Sequence, residues 1–426
     1  MWKKPGTQVA IDPSQLVVGL YVWLDVRWDE HPFISNRLLV KTPKDVALIQ
    51  SLGVAGRLYY YPEKSTVAPA PVAAGGADAP LAAVEALERE VIVQEVKRLE
   101  KEKKDKLRLQ KDVAIRADIA WSNAARITRE ALLNLSRSPK MAGEQLAQLS
   151  RDTASTVSKG QEILLHLLGD KKAVGPQFHA LNVMTLSMLL GKKAGLSERE
   201  LDDLALGALA HDAGKTQIPV QILKTSKRKK HEEDFARQHV QFSVQFAMQS
   251  GAFSRESLAI IADHHESADG SGWPSGKKLA GTGARILAMV NRYDRLCTPE
   301  AIDQVPLMPA EALATMFRHE TAKFDMALLS TLIKFLGIYP PGTVVQLSDG
   351  SLALVVSSGR QSLKPTVLIY SPELLKDEAP TLDLESEPDL KITEAIRPST
   401  LPPDVLAWLN PQQRLSYFFS MESGPT

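Results

Sequence analysis

Apolar positions in the first sixty residues alternate before they turn helical. Val18, Leu20, Val22 and Leu24 recur at every second residue, as in a strand with one buried face. Pro43 to Leu52 then takes helical spacing and is closed by Gly53, and Arg57 to Tyr61 returns to strand composition. The pattern predicts a small α+β domain over residues 1–65. Residues 66–80 are mostly Ala, Pro, Gly and Val, a linker composition that offers no core. From Leu81 a helical pattern runs through the charged stretch Lys97 to Lys111 towards Leu135. Acidic residues interleave with the lysines at helical spacing. Segment 81–129 therefore reads as a solvated connecting helix, or a coiled-coil face able to carry a homodimer, in preference to a nucleic-acid or lipid patch.

The middle of the chain is helical throughout. Met141 to Leu168 forms one segment, and Phe178 to Leu190 is apolar nearly all round, as in a buried helix. Leu201 to Leu209, Glu232 to Ser250, Leu258 to Ala262 and Arg285 to Leu296 follow, which together predict an all-α bundle over 130–338. The texture changes after Tyr339. Val344 to Leu347, the turn Ser348-Asp349-Gly350 and Leu352 to Val356 read as a β-hairpin, with Thr366 to Tyr370 as a further strand. The acidic segment Leu382 to Asp389 and the tail Ile396 to Phe419 are expected to fold back on this β-rich part, 339–426. The fold class is multidomain and mainly α: a central helical bundle flanked by a small α+β N-terminal domain and a small β-rich C-terminal appendage.

Composition narrows the setting. At 426 residues the chain exceeds what one core serves. A formal net charge of +1 gives no bulk attraction to nucleic acid or an acidic membrane. The single cysteine, Cys297, excludes an intrachain disulfide and suits a reducing compartment. With no signal-like start and no apolar run of the ~18 residues a bilayer span needs, a cytoplasmic protein without a membrane span is expected.

Candidate chemistry lies in the bundle. Of nine histidines, five stand beside or within its apolar helices: His179, His211, His239, His264 and His265. His31, His166, His231 and His319 lack such a setting, and His31 reads as a turn or packing residue. His211-Asp212-Ala213-Gly214-Lys215 ends an apolar helix and brings together a nitrogen ligand, a carboxylate able to bridge ions and a phosphate-seeking cation. A lone His-Asp pair is more often structural. Five imidazoles on facing helices instead predict a di-metal site. Nitrogen and carboxylate oxygen without thiolate suit iron, manganese or zinc. Adjacent residues diverge by about 100° on a helix. His264 and His265 therefore either serve one cluster over a helix end or reach different metals, which favours two ions. Glu266 to Pro274 forms a tight loop at the mouth of the site, or else an ordinary surface turn, and carries Gly272 and Trp273. Asn291 and Asp294, one turn apart, are each able to complete the metal shell.

His179, His211-Asp212-Ala213-Gly214-Lys215, His239, His264-His265-Glu266 and Asp269-Gly270-Ser271-Gly272-Trp273-Pro274 together resemble the HD-GYP phosphodiesterases over roughly residues 130 to 338. Gly19 to Phe33 resembles part of a small domain often found ahead of them. The resemblance implies an all-α, metal-dependent hydrolase of the bacterial second messenger cyclic di-GMP, yielding the linear dinucleotide and then GMP, within a signalling system of partner proteins. It implies that His179, His211, Asp212, His239, His264 and His265 hold two or three iron or manganese ions bridged by Asp212, and that Lys215 contacts the scissile phosphate. Three positions depart from the pattern. Trp273 replaces a tyrosine, Asn291 a metal-binding aspartate, and Gly175 a glutamate that brings a third ion, so two divalent ions are expected. Two alternatives stay open: a catalytically weak or inactive cyclic di-GMP sensor or protein-interaction module, and a nucleotide phosphohydrolase of the wider HD superfamily.

Overall fold

The computed structural model describes residues 7–26, 30–33, 36–71, 82–158, 175–359, 361–372, 374, 376, 379, 381–387 and 390–411. Two compact units divide the chain: residues 1–112 with 347–352 and 369–382, and the remainder.

In the first unit the predicted alternation holds from Leu20 to Leu24 and yields β2, whereas Val18 lies in a turn and is exposed. Strands β1 (Val9–Ala10), β2 (Tyr21–Leu24) and β3 (Arg37–Leu39), helix α1 (Pro43–Ser51) and strand β4 (Leu58–Tyr60) follow in order. The sheet is antiparallel in the order β1-β4-β2-β3, with Val22 opposite both Leu38 and Tyr60. Leu20, Val22 and Leu24 point into a core completed by Ile49, Val54 and Leu58. Helix α1 starts at a capping box in which Thr42 Oγ1 accepts from Asp45 N and Asp45 Oδ2 accepts from Thr42 N. It ends where Gly53 takes φ of 65°. His31 is fully buried, with Nε2 3.1 Å from Asn36 Oδ1 and its ring against Phe33, a packing residue.

Helix α2 (Ala82–Asn134) runs unbroken for 53 residues, so the expected boundary between 129 and 130 falls inside it. The bundle follows: α3 (Pro139–Ser158), α4 (Pro176–Lys193), α5 (Glu198–Ala210), α6 (Val220–Leu223), α7 (Lys230–Arg237), α8 (His239–Ser250), α9 (Arg255–Asp263), α10 (Thr282–Cys297), α11 (Pro309–His319) and α12 (Met326–Leu336). Helix α4 is the central post, buried on every side because its sequence is apolar all round, and α3, α5, α10 and α12 pack against it. The run Glu232 to Ser250 is not one helix: it breaks at Gln238 between α7 and α8.

Beyond the bundle lie β5 (Val344–Leu347), β6 (Leu352–Ser357), β7 (Thr366–Ile369), β8 (Thr381–Asp383), β9 (Ile392–Ile396) and α13 (Pro403–Leu409). The expected hairpin is β5-β6, in a sheet ordered β8-β7-β6-β5-β9. Residues of 339–426 are shared between the two units, so this stretch is not a body of its own. Residues 72–80 of the linker, 159–168 of the expected helix with His166, Pro388 and Asp389 of the acidic segment, and the tail beyond Pro411 lie outside the described residues.

Candidate metal centre

Four of the five central histidines stand at helix ends. His179 lies in the first turn of α4, His211 caps the C-terminus of α5, His239 opens α8 and His264 caps the C-terminus of α9. The last carbonyls of a helix have no partner within it. Three imidazoles satisfy such carbonyls: Nδ1–H of His211 donates to Ala208 O, that of His239 to Ala236 O and that of His264 to Ile261 O, each at 2.7 Å. A carbonyl only accepts, so each Nδ1 carries the proton, which in the uncharged tautomer leaves a bare Nε2 lone pair facing inward. His179 reaches the same state by donating from Nδ1 to Asp294 Oδ2 at 2.6 Å.

These lone pairs face one another. His179 Nε2 is 3.1 Å from His211 Nε2, and His239 Nε2 is 3.4 Å from His264 Nε2 and 3.3 Å from His265 Nε2. Bare nitrogens at such distances repel unless a cation lies between them. Protonation is a poor source of that charge. Burial, aided by the neighbouring rings, holds His264 and His265 well below the ordinary imidazole range, and burial followed by the charge of Arg295 lowers His179 to about 4. A divalent metal fits better. With metal–nitrogen bonds of ~2.1 Å, neighbouring ligands sit about 3.0 Å apart at right angles and about 3.4 Å apart at the tetrahedral angle.

Asp212 lies between the imidazoles at the start of a 3-10 turn, Ala213–Gln217. Gly214 makes that position possible. A Cβ there would stand 2.0 Å from His239 O, and the Gly214 amide donates to Ser243 Oγ at 2.8 Å, so the turn lies directly on α8. Asp212 Oδ2 is 3.5 Å from Nε2 of both His179 and His211, while Oδ1 is 3.4 Å from His239 Nε2 and 3.8 Å from His264 Nε2. The ligand atoms of Asp212, His239, His264 and His265 all lie within 4.8 Å of one another, as do those of His179, His211 and Asp212. Oδ1 is buried without a hydrogen-bond partner, a deficit that a cation fills. Burial works against ionising Asp212, but Lys215 first, then His211 and Arg295, outweigh it and hold the carboxyl well below the usual range. Cys297 is buried and its thiol is pushed up, so it adds no thiolate.

The other expected residues divide between the cluster and its surroundings. His264 and His265 enter the same group, because α9 ends at Asp263 and the cluster sits over that end. Their adjacency therefore does not count ions; the carboxylate shared by two groups takes over that argument. Asp294, expected in the metal shell, stands behind it: Oδ2 accepts the His179 N–H, and Asn182 Nδ2 is 3.4 Å from Oδ1. Asn291 is buried one turn earlier, with Oδ1 unpartnered. Trp273 stacks on His265 at 4.0 Å and meets His239 edge-on at 5.6 Å. A Cβ on Gly272 would stand 2.5 Å from Glu266 Cα, so this glycine seats the loop on the chain beside His265.

Two charged residues escaped the sequence reading. Arg295 pairs with Asp212 Oδ2, and Glu300 Oε2 lies 2.7 Å from Lys215 Nζ and 3.6 Å from Arg295 Nη1. Arg295 shares a helix face with Asn291 four residues earlier, a signal that was available. Glu300 follows the helix in a turn without periodicity, and nothing marked it. A cavity of about 260 Å³ beside His239, His265 and Trp273 is lined by five cations, among them Lys215, Arg237 and Arg295, against Glu233 and Glu300.

Parts of the chain are similar to known proteins. The family described as HD domain matches residues 140–328, and one described as a domain of unknown function matches residues 8–159. A cyclic di-GMP phosphodiesterase of Pseudomonas aeruginosa is 29% identical over 196 residues, covering 45% of this chain and 47% of that protein. The cyclic di-GMP phosphodiesterase response regulator RpfG of Xanthomonas campestris is 30% identical over 152 residues, covering 34% and 39%. The 3'3'-cGAMP-specific phosphodiesterase 2 of Vibrio cholerae is 32% identical over 124 residues, covering 28% and 23%. The chain thus matches less than half the length of these relatives. No helix among the described residues is long and apolar enough to cross a membrane. Residues 140–328 thus match the HD-domain family, and this part of the chain resembles the cyclic di-GMP phosphodiesterases of the HD-GYP kind.

Proposed function

We propose that the chain hydrolyses a 3'-5' phosphodiester of cyclic di-GMP, giving the linear dinucleotide and then GMP, in bacterial second-messenger signalling. The observation that carries the reading is the Asp212 carboxylate set between two groups of inward-facing imidazole nitrogens. Two divalent ions, iron or manganese with zinc admissible, would be held by His179, His211 and Asp212 on one side and by Asp212, His239, His264 and His265 on the other. Ions bound there supply Lewis acidity towards a phosphoryl oxygen and towards water. Asp294 keeps the His179 ring in its ligating tautomer. Lys215 balances charge developing on the phosphate, and the cation-rich cavity beside Trp273 attracts the dinucleotide's second phosphate. Helix α2 carries exposed Leu109, Ile115 and Ile119, which fits a homodimer through this segment.

The test is metal analysis and cleavage assay on one anaerobically purified sample, with cyclic di-GMP and cyclic GMP-AMP as competing substrates. His211→Ala and Asp212→Ala are expected to abolish turnover while the chain stays folded; full activity in both removes the proposal. A second reading, a cyclic di-GMP sensor with little or no turnover, draws on neutral Asn291 and on the indole laid over His265. Protein carrying near-stoichiometric metal, yet forming no product, would favour it.

A further inference from the structure

The two halves of the centre are unequal, and the inequality lies in Asp212. Its Oδ1 faces His239 and His264 without a hydrogen-bond partner. Its Oδ2, which faces His179 and His211, already carries two cations: Lys215 Nζ at 2.8 Å and the Arg295 guanidinium. Neither cation is loosely placed. Glu300 holds both, and Arg295 is fixed by its helix, one residue after the Asp294 that orients His179. The same half offers two imidazoles where the other offers three. An ion entering between His179 and His211 must therefore share Oδ2 with two fixed positive charges. One entering between His239, His264 and His265 meets an open carboxylate oxygen.

We infer that Arg295 occupies the place of one cation, so that the chain holds a single tightly bound ion at His239, His264, His265 and Asp212 Oδ1, and takes a second at His179 and His211 only weakly. The inference rests on the metal reading above and goes beyond it by ranking the two positions and naming the residue that sets the rank. Lys215 reinforces the effect, and Glu300 sustains it by neutralising the pair of cations on their far side.

Titration of the full metal-free chain with Mn²⁺, followed by equilibrium metal content and by the electron paramagnetic resonance of isolated against exchange-coupled ions, tests this directly. The wild type is expected to bind one ion tightly and to show an uncoupled spectrum. Arg295→Met removes the charge at similar length and is expected to tighten the second ion by at least about tenfold, the scale of one charge-assisted contact at a buried carboxylate. Coupled spectra should then appear at two equivalents. Arg295→Lys, which keeps the charge, should stay near wild type and controls for disturbed packing. His265→Ala should lose the tight ion, whereas His179→Ala should retain it. Two ions of equal affinity in the wild type overturn the inference and leave the metal reading standing. An unchanged second affinity in Arg295→Met, or loss of the tight ion in His179→Ala but not in His265→Ala, does the same. Absence of Mn²⁺ from every variant overturns both.

Discussion

Two parts of this chain bury histidine, and they do so to different ends. His31, in the N-terminal unit, is as inaccessible as His211 in the bundle. Its Nε2, however, meets a neutral amide oxygen, Asn36 Oδ1, whose own Nδ2 donates to Leu24 O and Val26 O. In the bundle, Nε2 meets Nε2. Burial alone thus says nothing about ligation. What separates a packing histidine from a candidate ligand is the partner on the inward nitrogen: an uncharged acceptor settles the ring, whereas other bare nitrogens leave it needing a cation.

The contrast breaks most completely if the bundle loses the close approach that gathers its nitrogens. Gly214→Ala places a methyl 2.0 Å from His239 O, and backbone on both sides leaves little room to yield. We expect destabilisation of about 1–3 kcal/mol or more from overpacking. Because the displaced turn carries Asp212, metal content and cleavage should both fall to background. Thermal melts beside metal analysis check this; a variant with wild-type melting and metal would show that the turn tolerates displacement and that Gly214 does not position Asp212.

A smaller effect is expected one step back from the nitrogens. Asp294→Asn replaces the carboxyl acceptor of the His179 N–H by an amide. Loss of such an outer partner costs about 10–100-fold in metal affinity or activity. The loss should fall on the His179 and His211 side, leaving Mn²⁺ at His239, His264 and His265 unaffected. Equal weakening at both positions would mean that Asp294 acts on the fold as a whole.

Acid should then separate the regions by their proton uptake. The unfolded chain protonates its histidines near 6.5, whereas in the fold burial and the Arg295 charge hold His179 near 4, and burial keeps His264 and His265 far below 6.5. Between these values the unfolded state binds more protons, so stability rises with pH there. Melting of the metal-free bundle should accordingly be constant above about 6.5 and fall as pH drops towards 4. His179→Gln should flatten part of that slope. A flat profile in the wild type would show that these rings are not held neutral.

How much of this was legible beforehand depends on the range of the interaction that decides it. The alternation Leu20 to Leu24, the cap and stop of α1, the buried post α4 and the hairpin around Gly350 are local, and local spacing announces them; Val18 continues the spacing but falls in an exposed turn. The five bundle histidines were legible as a series for the same reason: each sits beside an apolar helix. What spacing could not show was direction. Asp294 and Asn291 share a face of α10, yet one takes an imidazole proton and the other leaves its oxygen unpartnered. That division depends on where α4 lies against α10. The break at Gln238 was hidden because apolar residues continue across it. The Arg295–Glu300 pair links a helix to an aperiodic turn, and the sheet neighbours β9 and β5 are separated by the whole of β6 to β8.

The smallest effect should come from the N-terminal member of the comparison. Asn36 joins His31 to the carbonyls of Leu24 and Val26, so Asn36→Ala removes an acceptor from a buried ring and a donor from two backbone oxygens at once. A cost of about 1–3 kcal/mol is expected for polar groups left unpaired in a core. It should appear as an earlier melting step of the N-terminal unit. Metal content and cleavage should remain those of the wild type, because His31 has a neutral partner and no cation to lose. If Asn36→Ala instead stripped metal or lowered cleavage, the two histidine settings would be coupled. The N-terminal unit would then be part of what shapes the centre, and the distinction drawn from the inward nitrogen would not by itself explain why one region binds an ion and the other does not.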